Sequence, residues 1–551
     1  MKAHEPDGSL SAKPHETFDS PFYERFRRVV AWCIGHRWLT IGATIGIFVL
    51  GLMGMGLVQQ QFFPDSSRPE IMVDLWLPEG ATVKQSEEVA RRFEARMLKE
   101  TGVKTVTTWV GSGVPRFYLP LDQVFPQSNV SEAIVEPKDL KVRETLRKKL
   151  PALLATEFPE IRSRVKLLPN GPPVPYPVQF RVVGADADQV RHWADEAKAV
   201  LRANTHMRGV NDNWNENVLA MRLAIDQAKA RALGVTTQAI AQATQTQFSG
   251  STIGQYREGD QLIDIVLRQP LAERSAVSNL SSAYVATSNG GVVPLAQIAK
   301  LSLGWEPGVL WRENRDYAVT VQGDVSEGLQ GPTVTAEVWP QLKALEAKMP
   351  PGYQIQIAGA VEESSKGQGA IMAGMPVMLF IIFTLLMLQL HSFSRAVLVF
   401  LTGPLGIAGI AGALLLLNRP FGFVALLGAI ALMGMIMRNS VILIDQIDQD
   451  LQHGVAPWEA VIGSTLRRFR PIVLTALAAI LAMIPLTHST FWGPMAWAIM
   501  GGLTAATVLT LIVLPVLYAA SYRVREHAHA APATATASTE NREHVRVAHA
   551  V

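Results

Sequence analysis

One arginine lies deep within an apolar stretch of this chain, and its surroundings make it the residue best placed to do chemistry. Arg438 occurs in the run GMIMRNSVILI, residues 434–444. A guanidinium stays protonated at physiological pH and is costly at bilayer depth unless an anion pairs with it. No apolar stretch contains Asp or Glu, and the nearest carboxylate, Asp445, follows at the edge of this one. The pattern therefore predicts that the partner anion belongs to another chain.

Other residues offer weaker candidates for catalysis or metal binding. The phosphate loop of ATPases, Gly-x-x-x-x-Gly-Lys, is absent, and we predict neither an enzyme nor a bound cofactor or metal. The closest histidine pair, His527 and His529, lies in a polar tail. For the acidic group Asp445, Asp448 and Asp450, a solvated helix end is the better interpretation.

A structural interpretation stands beside each functional one. Arg438 can snorkel to the interface or pair with a lipid phosphate. Arg468 and Arg470 can be basic anchors beside a span, and the hydroxyl of Thr475 can bond its own backbone four residues back. For a basic residue inside an apolar span, function remains the favoured hypothesis.

Composition restricts the class of protein. The 551 residues are 48 % hydrophobic, and the apolar residues are concentrated in six stretches. The net charge of +3 is too small to favour nucleic acid as a partner, and the single cysteine permits no internal disulfide. Residues 1–22 are polar and do not form a signal peptide, whereas the residues after Tyr522 are typical of a disordered tail.

Six stretches are long enough to cross a bilayer, which takes about 20 apolar residues per helix. They lie at roughly 38–58, 371–390, 396–417, 421–444, 471–487 and 494–519. Basic residues precede the first and the fifth stretch, and the positive-inside rule then places both termini in the cytoplasm. The predicted topology is one span, a large external region and five further spans.

The external region shows three strand–helix–strand units. The first unit has a strand near 70–77, a capping box from Thr82 to Gln85 and a strand near 103–110. The second covers about 178–225 and the third about 317–357, with an insert at 226–305 that contains a predicted hairpin around Gly250. Such units in series indicate α+β sandwiches with helices on one sheet face.

The chain resembles the resistance–nodulation–division (RND) superfamily, and most closely its hydrophobe/amphiphile efflux pumps. The resemblance extends over residues 20–523. It rests on the topology and on these segments: FPD at 63–65, LPEGAT at 77–82, IDQAKARALGV at 225–235, VPL at 293–295, the run from Gly434 to Asp445, and RFRPIVLT at 468–475.

This resemblance implies the C-terminal half of an inner-membrane proton/drug antiporter. The partners it implies are a complementary six-span N-terminal half carrying an acidic pair, a homotrimer-like assembly, a periplasmic adaptor, an outer-membrane channel, and hydrophobic or amphiphilic small-molecule substrates. It also assigns the proton-relay positions to Arg438, Asn439, Arg468 and Thr475. Arg438 replaces the usual lysine, and because arginine does not release its proton it can act only as a fixed counter-ion.

The predicted fold is an α-helical membrane protein with six transmembrane helices, plus an α+β periplasmic region of repeated β-α-β sandwich subdomains. Its parts are a cytoplasmic lead at 1–37, a first span at 38–58, porter subdomains at 59–370 with a docking-like insert near 226–305, five spans within 371–521 with a cytoplasmic loop at 445–470, and a disordered cytoplasmic tail at 522–551.

Two alternatives remain open. Members of the same superfamily that assist protein export share this topology and work as paired chains, although the insert and the Arg438 motif argue against that function. A non-transporting remnant of a truncated gene is the other.

Overall fold

The computed structural model describes residues 20–64, 66–271 and 283–525. Most of the predicted lead and most of the predicted tail, including His527 and His529, lie outside the described residues. The helices are α1 Pro21–Gly35, α2 Arg37–Leu57, α3 Val83–Met97, α4 Leu140–Glu157, α5 Ala187–Ala203, α6 Gln227–Ala232, α7 Thr237–Phe248, α8 Leu295–Ile298, α9 Gly331–Glu346, α10 Ala360–Leu390, α11 Phe393–Thr402, α12 Gly406–Leu416, α13 Phe423–Gln452, α14 Pro457–Met483 and α15 Gly493–Ser521.

The strands of the described chain fall between α2 and α10. They are β1 Ile71–Trp76, β2 Val103–Val110, β3 Val130–Pro137, β4 Arg162–Leu167, β5 Val178–Gly184, β6 Met207–Asp212, β7 Asn217–Ile225, β8 Ser251–Glu258, β9 Gln261–Leu267, β10 Tyr284–Ala286, β11 Val292–Pro294, β12 Ala299–Pro307, β13 Arg312–Glu313, β14 Asp316–Val325 and β15 Gln354–Ala358.

Six helical segments of the described chain are long and apolar enough to cross a membrane, and each overlaps one predicted span. They are Arg37–Leu57, Ala360–Leu390, Phe393–Leu416, Phe423–Gln452, Pro457–His488 and Gly493–Ser521. The third and the fifth contain 3₁₀ turns at Gly403–Leu405 and Ile484–His488, where a proline removes a backbone donor from the helix.

The segment 445–470, predicted as a cytoplasmic loop, is helical at both ends. Helix α13 continues to Gln452 and α14 begins at Pro457, so only a short turn joins them. Gly454 in that turn has a φ of +80°, a conformation that glycine adopts without steric cost. The acidic residues 445, 448 and 450 are therefore the last turns of α13.

Glycines set the spacing between the apolar helices. A Cβ on Gly409 of α12 would collide with the carbonyl oxygen of Gly501 on α15 and lie 2.6 Å from the Cβ of Ala505. Gly403 and Gly406 are similarly close to side chains of α13, whereas Gly412 has nothing within 4 Å. Three of the four glycines that recur from 403 to 412 therefore allow close contact between helices.

The first α/β subdomain consists of β1–α3–β2–β3–α4–β4, with an antiparallel sheet in the order β2-β3-β1-β4. The predicted capping box is confirmed: the side chain of Thr82 accepts from the N–H of Gln85, and the side chain of Gln85 accepts from the N–H of Thr82. The sequence prediction missed β3, α4 and β4. Residues Ile71, Val73 and Leu75 of β1 face the two helices in the core.

The second α/β subdomain joins the second and third predicted units in one sheet. Strand β14 lies between β5 and β6, β15 pairs with the other edge of β5, and β13 pairs with β14. Helices α5 and α9 cover one face, and the core between them includes Phe180 and Val319. The two subdomains therefore share a split β-α-β arrangement.

The insert lies between β6 and β14 and has its base at the paired strands β7 and β12. Its hairpin is β8–β9, with the turn at Gly259 and Asp260, rather than around Gly250 as predicted. Gly250, with a φ of +92°, instead follows the end of α7, where its N–H bonds to the carbonyl of Gln245. A glycine between two polar residues is typical of a helix end as well as of a hairpin turn. The sequence around Gly250 could therefore not distinguish the two.

Candidate functional site

Helix α13 leaves one narrow face uncovered by the described part of the chain. The exposed positions recur every third or fourth residue: Leu427, Ala431, Gly434, Arg438, Ile442, Asp445 and Gln449. That spacing is one face of a helix with 3.6 residues per turn. Arg438 lies at the centre of this face.

The Arg438 guanidinium makes no hydrogen bond and no ion pair with any residue of the described ranges. The carboxylates at the end of the same helix are engaged elsewhere: Asp445 accepts from Gln449 at 2.9 Å, Asp448 pairs with Arg395 of α11 at 2.7 Å, and Asp450 pairs with Arg467 and Ser464 of α14. No carboxylate of α13 itself therefore serves as the counter-ion of Arg438.

The two residues after Arg438 point the other way and fix the rotation of the helix. Asn439 is 7 % exposed, and Ser440 is completely buried. The hydroxyl of Ser440 lies 2.8 Å from that of Thr402 at the end of α11, in hydrogen-bond contact. Because successive residues on a helix diverge by about 100°, burial of Asn439 and Ser440 directs Arg438 outward.

Helix α14 carries the other two predicted relay residues. The side chain of Arg468 is partly buried, and its Nε has no hydrogen-bond partner among the described residues. Thr475 is exposed, and its hydroxyl donates to the carbonyl of Ile472 at 2.9 Å, three residues back rather than the four predicted.

The structure brings together the helices that carry these residues. Helices α13 and α14 pack against each other. Within the described chain, no hydrogen bond or ion pair links any two of Arg438, Asn439, Arg468 and Thr475. Their assignment as a proton relay stays a prediction.

A second candidate site, missed at the sequence level, is a cleft between the two α/β subdomains that encloses about 290 Å³. Its walls come from β1 and β4, from the loop 111–127, and from β5, β6 and β14. Four aromatic side chains line it: Trp76, Phe125, Tyr176 and Trp311. Its volume lies near the lower limit of small-molecule pockets, which begin at about 300 Å³.

Strand register gathers charged groups at the base of this cleft. Asp74 of β1 lies opposite Glu132 on one side and Arg164 on the other, all on the face away from the helices. The ammonium of Lys166 lies 2.8 Å from Asp74 and 2.9 Å from Glu132. Glu132 also accepts a hydrogen bond from the N–H of Val114 at 2.6 Å, which holds the cleft loop to the sheet.

Burial and the shared cation shift the pKa values of this group. Burial raises the pKa of Glu132 to about 7, with Lys166 opposing and Asp74 reinforcing the shift. Burial acts in the same direction on Asp74, but the charges of Lys166 and Arg164 outweigh it and lower the pKa of that carboxyl. Burial also raises the pKa of Asp122 at the rim. Asp74 and Glu132 share one cation, and their pKa values therefore differ in opposite directions from the ordinary values.

Arg164 connects the two subdomains across the cleft. Its guanidinium donates to both carboxylate oxygens of Asp324 on β14, each at 2.8 Å, and to the carbonyl of Pro175. The same group lies 3.8 Å from the centroid of the Tyr176 ring. Burial opposes its charge, yet Asp324 raises the pKa of Arg164, so the bridge stays ionised.

One signal in the sequence points to this cleft. Arg162, Arg164 and Lys166 occur at every second position, which places three cations on one face of a strand. The segment has few β-branched residues, and the prediction assigned no strand there. The carboxylates that neutralise these cations lie on β1 and β3. The site is therefore recognised only when the pairing of these strands is known.

Comparison with known proteins gives matches along nearly the whole chain. Residues 2–521 match the AcrB/AcrD/AcrF family. The nickel-cobalt-cadmium resistance protein NccA of Alcaligenes xylosoxydans xylosoxydans is 26 % identical over 514 residues, which are 89 % of this chain and 47 % of NccA. The nickel and cobalt resistance protein CnrA of Cupriavidus metallidurans is 27 % identical over 502 residues, 87 % of this chain and 46 % of CnrA.

Solved structures show the same fold. Two crystal forms of a heavy metal efflux pump superpose with TM-scores of 0.72 and 0.71 at 23 % and 22 % identity, covering 91 % and 90 % of this chain and 51 % of the pump. The chain thus spans about half the length of the proteins that it matches. The family match over residues 2–521 establishes that the chain belongs to the AcrB/AcrD/AcrF family, whose members are efflux permeases of the resistance–nodulation–division superfamily.

Proposed function

We propose that this chain is the C-terminal half of a proton-coupled efflux permease in the bacterial inner membrane. Arg438 is the fixed counter-ion for carboxylates carried by a complementary six-span N-terminal half. The observation that carries this proposal is the position of Arg438, which lies on an uncovered face of an apolar helix without an anion among the described residues. A charge placed within an apolar membrane span requires a partner.

A fixed positive charge can couple proton binding to movement. While Arg438 lies beside a carboxylate, it lowers the pKa of that carboxylate and keeps it ionised. When the helices shift and the distance grows, the pKa rises and the carboxylate takes up a proton. Arg438 keeps its own proton throughout, so the partner half performs the titration. The partly buried Arg468, buried Asn439 and exposed Thr475 are the further relay residues in this proposal.

The half-length match and the family support the proposed assembly. The external α/β region is periplasmic and both termini are cytoplasmic, with six spans that include the Arg438 helix. Three copies of the complete transporter form a trimer that joins a periplasmic adaptor and an outer-membrane channel.

The cleft supports hydrophobic or amphiphilic organic substrates. Aromatic walls bind apolar groups, and the charged base binds a polar one. The names of NccA and CnrA favour a second candidate, export of divalent metal cations. Against the second candidate, the described residues contain no group of three His, Cys, Asp or Glu side chains placed to hold a metal ion. The two buried carboxylates of the cleft are also already paired with Lys166.

The first experiment is purification of the tagged chain from its native membrane in mild detergent, with partners identified by mass spectrometry. We expect a stoichiometric six-span partner that carries carboxylates within its apolar helices. Recovery of the chain alone contradicts the proposal and favours the truncated, non-transporting alternative.

The second experiment measures export from proteoliposomes with an imposed pH gradient, using an amphiphilic dye and, separately, Ni²⁺ and Co²⁺. Arg438→Ala should abolish dye export while the protein remains in the membrane. Arg419→Ala, at an exposed turn between α12 and α13, is the matched control and should export normally. Metal export without dye export favours the second candidate. In a separate assay on cells that lack this chain, loss of protein secretion with normal drug tolerance favours the protein-export accessory.

A further inference from the structure

The segment that leads from α2 to β1 is tied to the start of the Arg438 helix. The N–H of Gln61 donates to the carbonyl of Phe421 at 3.0 Å, and the N–H of Phe421 donates to the carbonyl of Gln59 at 2.8 Å. The N–H of Phe423, the first residue of α13, donates to the carbonyl of Phe62 at 3.4 Å. A helix leaves its first N–H groups without acceptors inside the helix, and the carbonyl of Phe62 accepts from one of them.

Phe63 lies at the centre of this junction. Its ring centroid is 5.3 Å from that of Phe423 and 6.3 Å from that of Phe491, in the turn before α15. The ring also lies against the backbone of Gly171. A Cβ on Gly171 would lie 2.5 Å from the Cγ of Phe63, closer than two carbon atoms can approach without displacement.

The backbone around Gly171 continues from one of the strands that line the cleft. Residues 168–171 directly follow β4, the strand of Arg164 and Lys166. The N–H of Ser66 donates to the carbonyl of Leu168 at 3.0 Å, and the side-chain amide of Asn170 donates to that of Pro64 at 3.0 Å. The segment with Phe63 is therefore bonded to the end of a cleft strand.

The cleft loop reaches the same point. Tyr118 lies in the loop 111–127, and its hydroxyl donates to the carbonyl of Pro169 and lies 3.2 Å from Oδ1 of Asn170. The loop thus contacts the turn after β4 at Pro169 and Asn170, the two residues that directly precede Gly171.

We propose that the contact between Phe63 and Gly171 is a mechanical joint that transmits a shift of the Arg438 helix to the base and the loop of the cleft. The half-buried Phe63 ring leaves no room for even a methyl group between itself and the Gly171 backbone, so a displacement of the ring toward that backbone must displace it. Movement at the start of α13 therefore reaches the turn after β4. The inference deepens the proposed function, on which it rests, by making Phe63 a positioning residue of the transport cycle.

The joint can be tested on the full chain without transport, by hydrogen exchange in lipid nanodiscs. The central variant is Gly171→Ala, which drives a methyl group into the Phe63 ring. Gly352→Ala is the matched control: Gly352 has a φ of +91°, close to the +81° of Gly171, but has nothing within 4 Å. The variants share the backbone strain and differ in the collision.

We expect Gly171→Ala to speed exchange about tenfold both at the amides of 421–423 and in the cleft loop 111–127, with Gly352→Ala unchanged at both places. In the double variant Phe63→Ala/Gly171→Ala, the ring is gone and exchange should match that of Phe63→Ala alone. Faster exchange confined to 168–171 overturns the proposal, because the disturbance then stops at the glycine.

Transport by the complete assembly supplies the second readout. Phe63→Ala should lower the export rate at saturating substrate several-fold while the half-saturating concentration stays unchanged, since the cleft still binds. A merely structural role would lower the amount of folded protein and leave export per molecule as in the unaltered chain, which overturns the proposal. If the unaltered assembly exports nothing, the proposed function fails, and the exchange experiment still decides the joint.

Discussion

Lys166 of β4 and Glu132 of β3 form an ion pair of 2.9 Å beneath the cleft, and the carboxylate of Glu132 is only 1 % exposed. Asp74, 6 % exposed, competes for the same ammonium at 2.8 Å. When both carboxylates are ionised, one negative charge is left without a cation in a poorly solvated position. The stability of the first α/β subdomain should therefore depend on Lys166 and on pH.

Replacing Lys166 with Met should destabilise the sheet strongly. Removal of one member of a buried charge group leaves the others uncompensated and costs about 3–5 kcal/mol. The measurement is the hydrogen-exchange protection of the amides of β1 and β3. The control is Lys104→Met, which breaks the exposed pair with Glu136 and should leave that protection unchanged. Equal effects of the two variants would contradict the view that the Lys166 cluster is desolvated.

Glu132→Gln should remove a pH dependence of the same sheet. The carboxyl has an ordinary pKa of 4.5 and a pKa of about 7 in the folded chain. A raised carboxyl pKa means that the folded state binds the proton more tightly, so its stabilising contribution is complete below pH 4.5 and is lost as the pH rises through about 7. We expect the unaltered chain to lose protection in β1 and β3 between these values.

The amide that replaces the carboxyl in Glu132→Gln cannot ionise. The hydrogen-exchange protection of β1 and β3 in this variant should therefore stay constant between pH 4.5 and about 7, and above pH 7 it should exceed the protection in the unaltered chain. Glu136→Gln on the same strand is the control, because its carboxylate is exposed. A fall in protection of the same size in Glu132→Gln would assign the pH dependence to another group.

Gly409→Ala and Gly412→Ala should have opposite effects although they lie one turn apart on α12. The first places a methyl group against the carbonyl of Gly501, and overpacking of this kind costs about 1–3 kcal/mol. The second meets open space, and alanine is a better helix former than glycine by about 1 kcal/mol. Thermal unfolding in detergent should show a lower midpoint for Gly409→Ala and an unchanged or higher one for Gly412→Ala.

Arg438→Lys should show whether transport depends on a counter-ion that keeps its charge at every pH. At neutral pH a lysine supplies the same charge, and proton-driven dye export should persist. Lysine can lose its proton when desolvated and arginine cannot, so export by the variant should fall earlier on the alkaline side than that of the unaltered assembly. Export rates measured across the pH range test this. Identical profiles would mean that the site is well solvated.

The elements that the sequence predicted best are those with strong periodic signals. The six apolar helices have continuous runs of apolar residues, and the capping box at Thr82 is a local motif that needs no distant partner. The strands β3 and β4 were missed because their charged residues, Glu132, Arg164 and Lys166, are tolerated in a strand only through pairing with charges on neighbouring strands.

The two candidate sites differ in the same way. Arg438 stands out in the sequence because a charge contradicts its apolar surroundings. The cleft has no such local contrast, since its residues come from strands that are far apart in sequence and become neighbours only in the folded sheets. The contact between Phe63 and Gly171 could not be predicted either, because nothing in the sequence around Gly171 distinguishes it from any other loop glycine.

The insert between β6 and β14 affects how the second α/β subdomain can fold. Strand β6 ends at Asp212, and β14, which pairs with both β5 and β6, does not begin until Asp316. Synthesis at about 5–20 residues per second leaves this sheet without its central strand for roughly 5–20 s. During that interval Val178, Phe180 and Val182 have no sheet partner on that side. The nascent chain is therefore exposed to misassembly while the insert is being made.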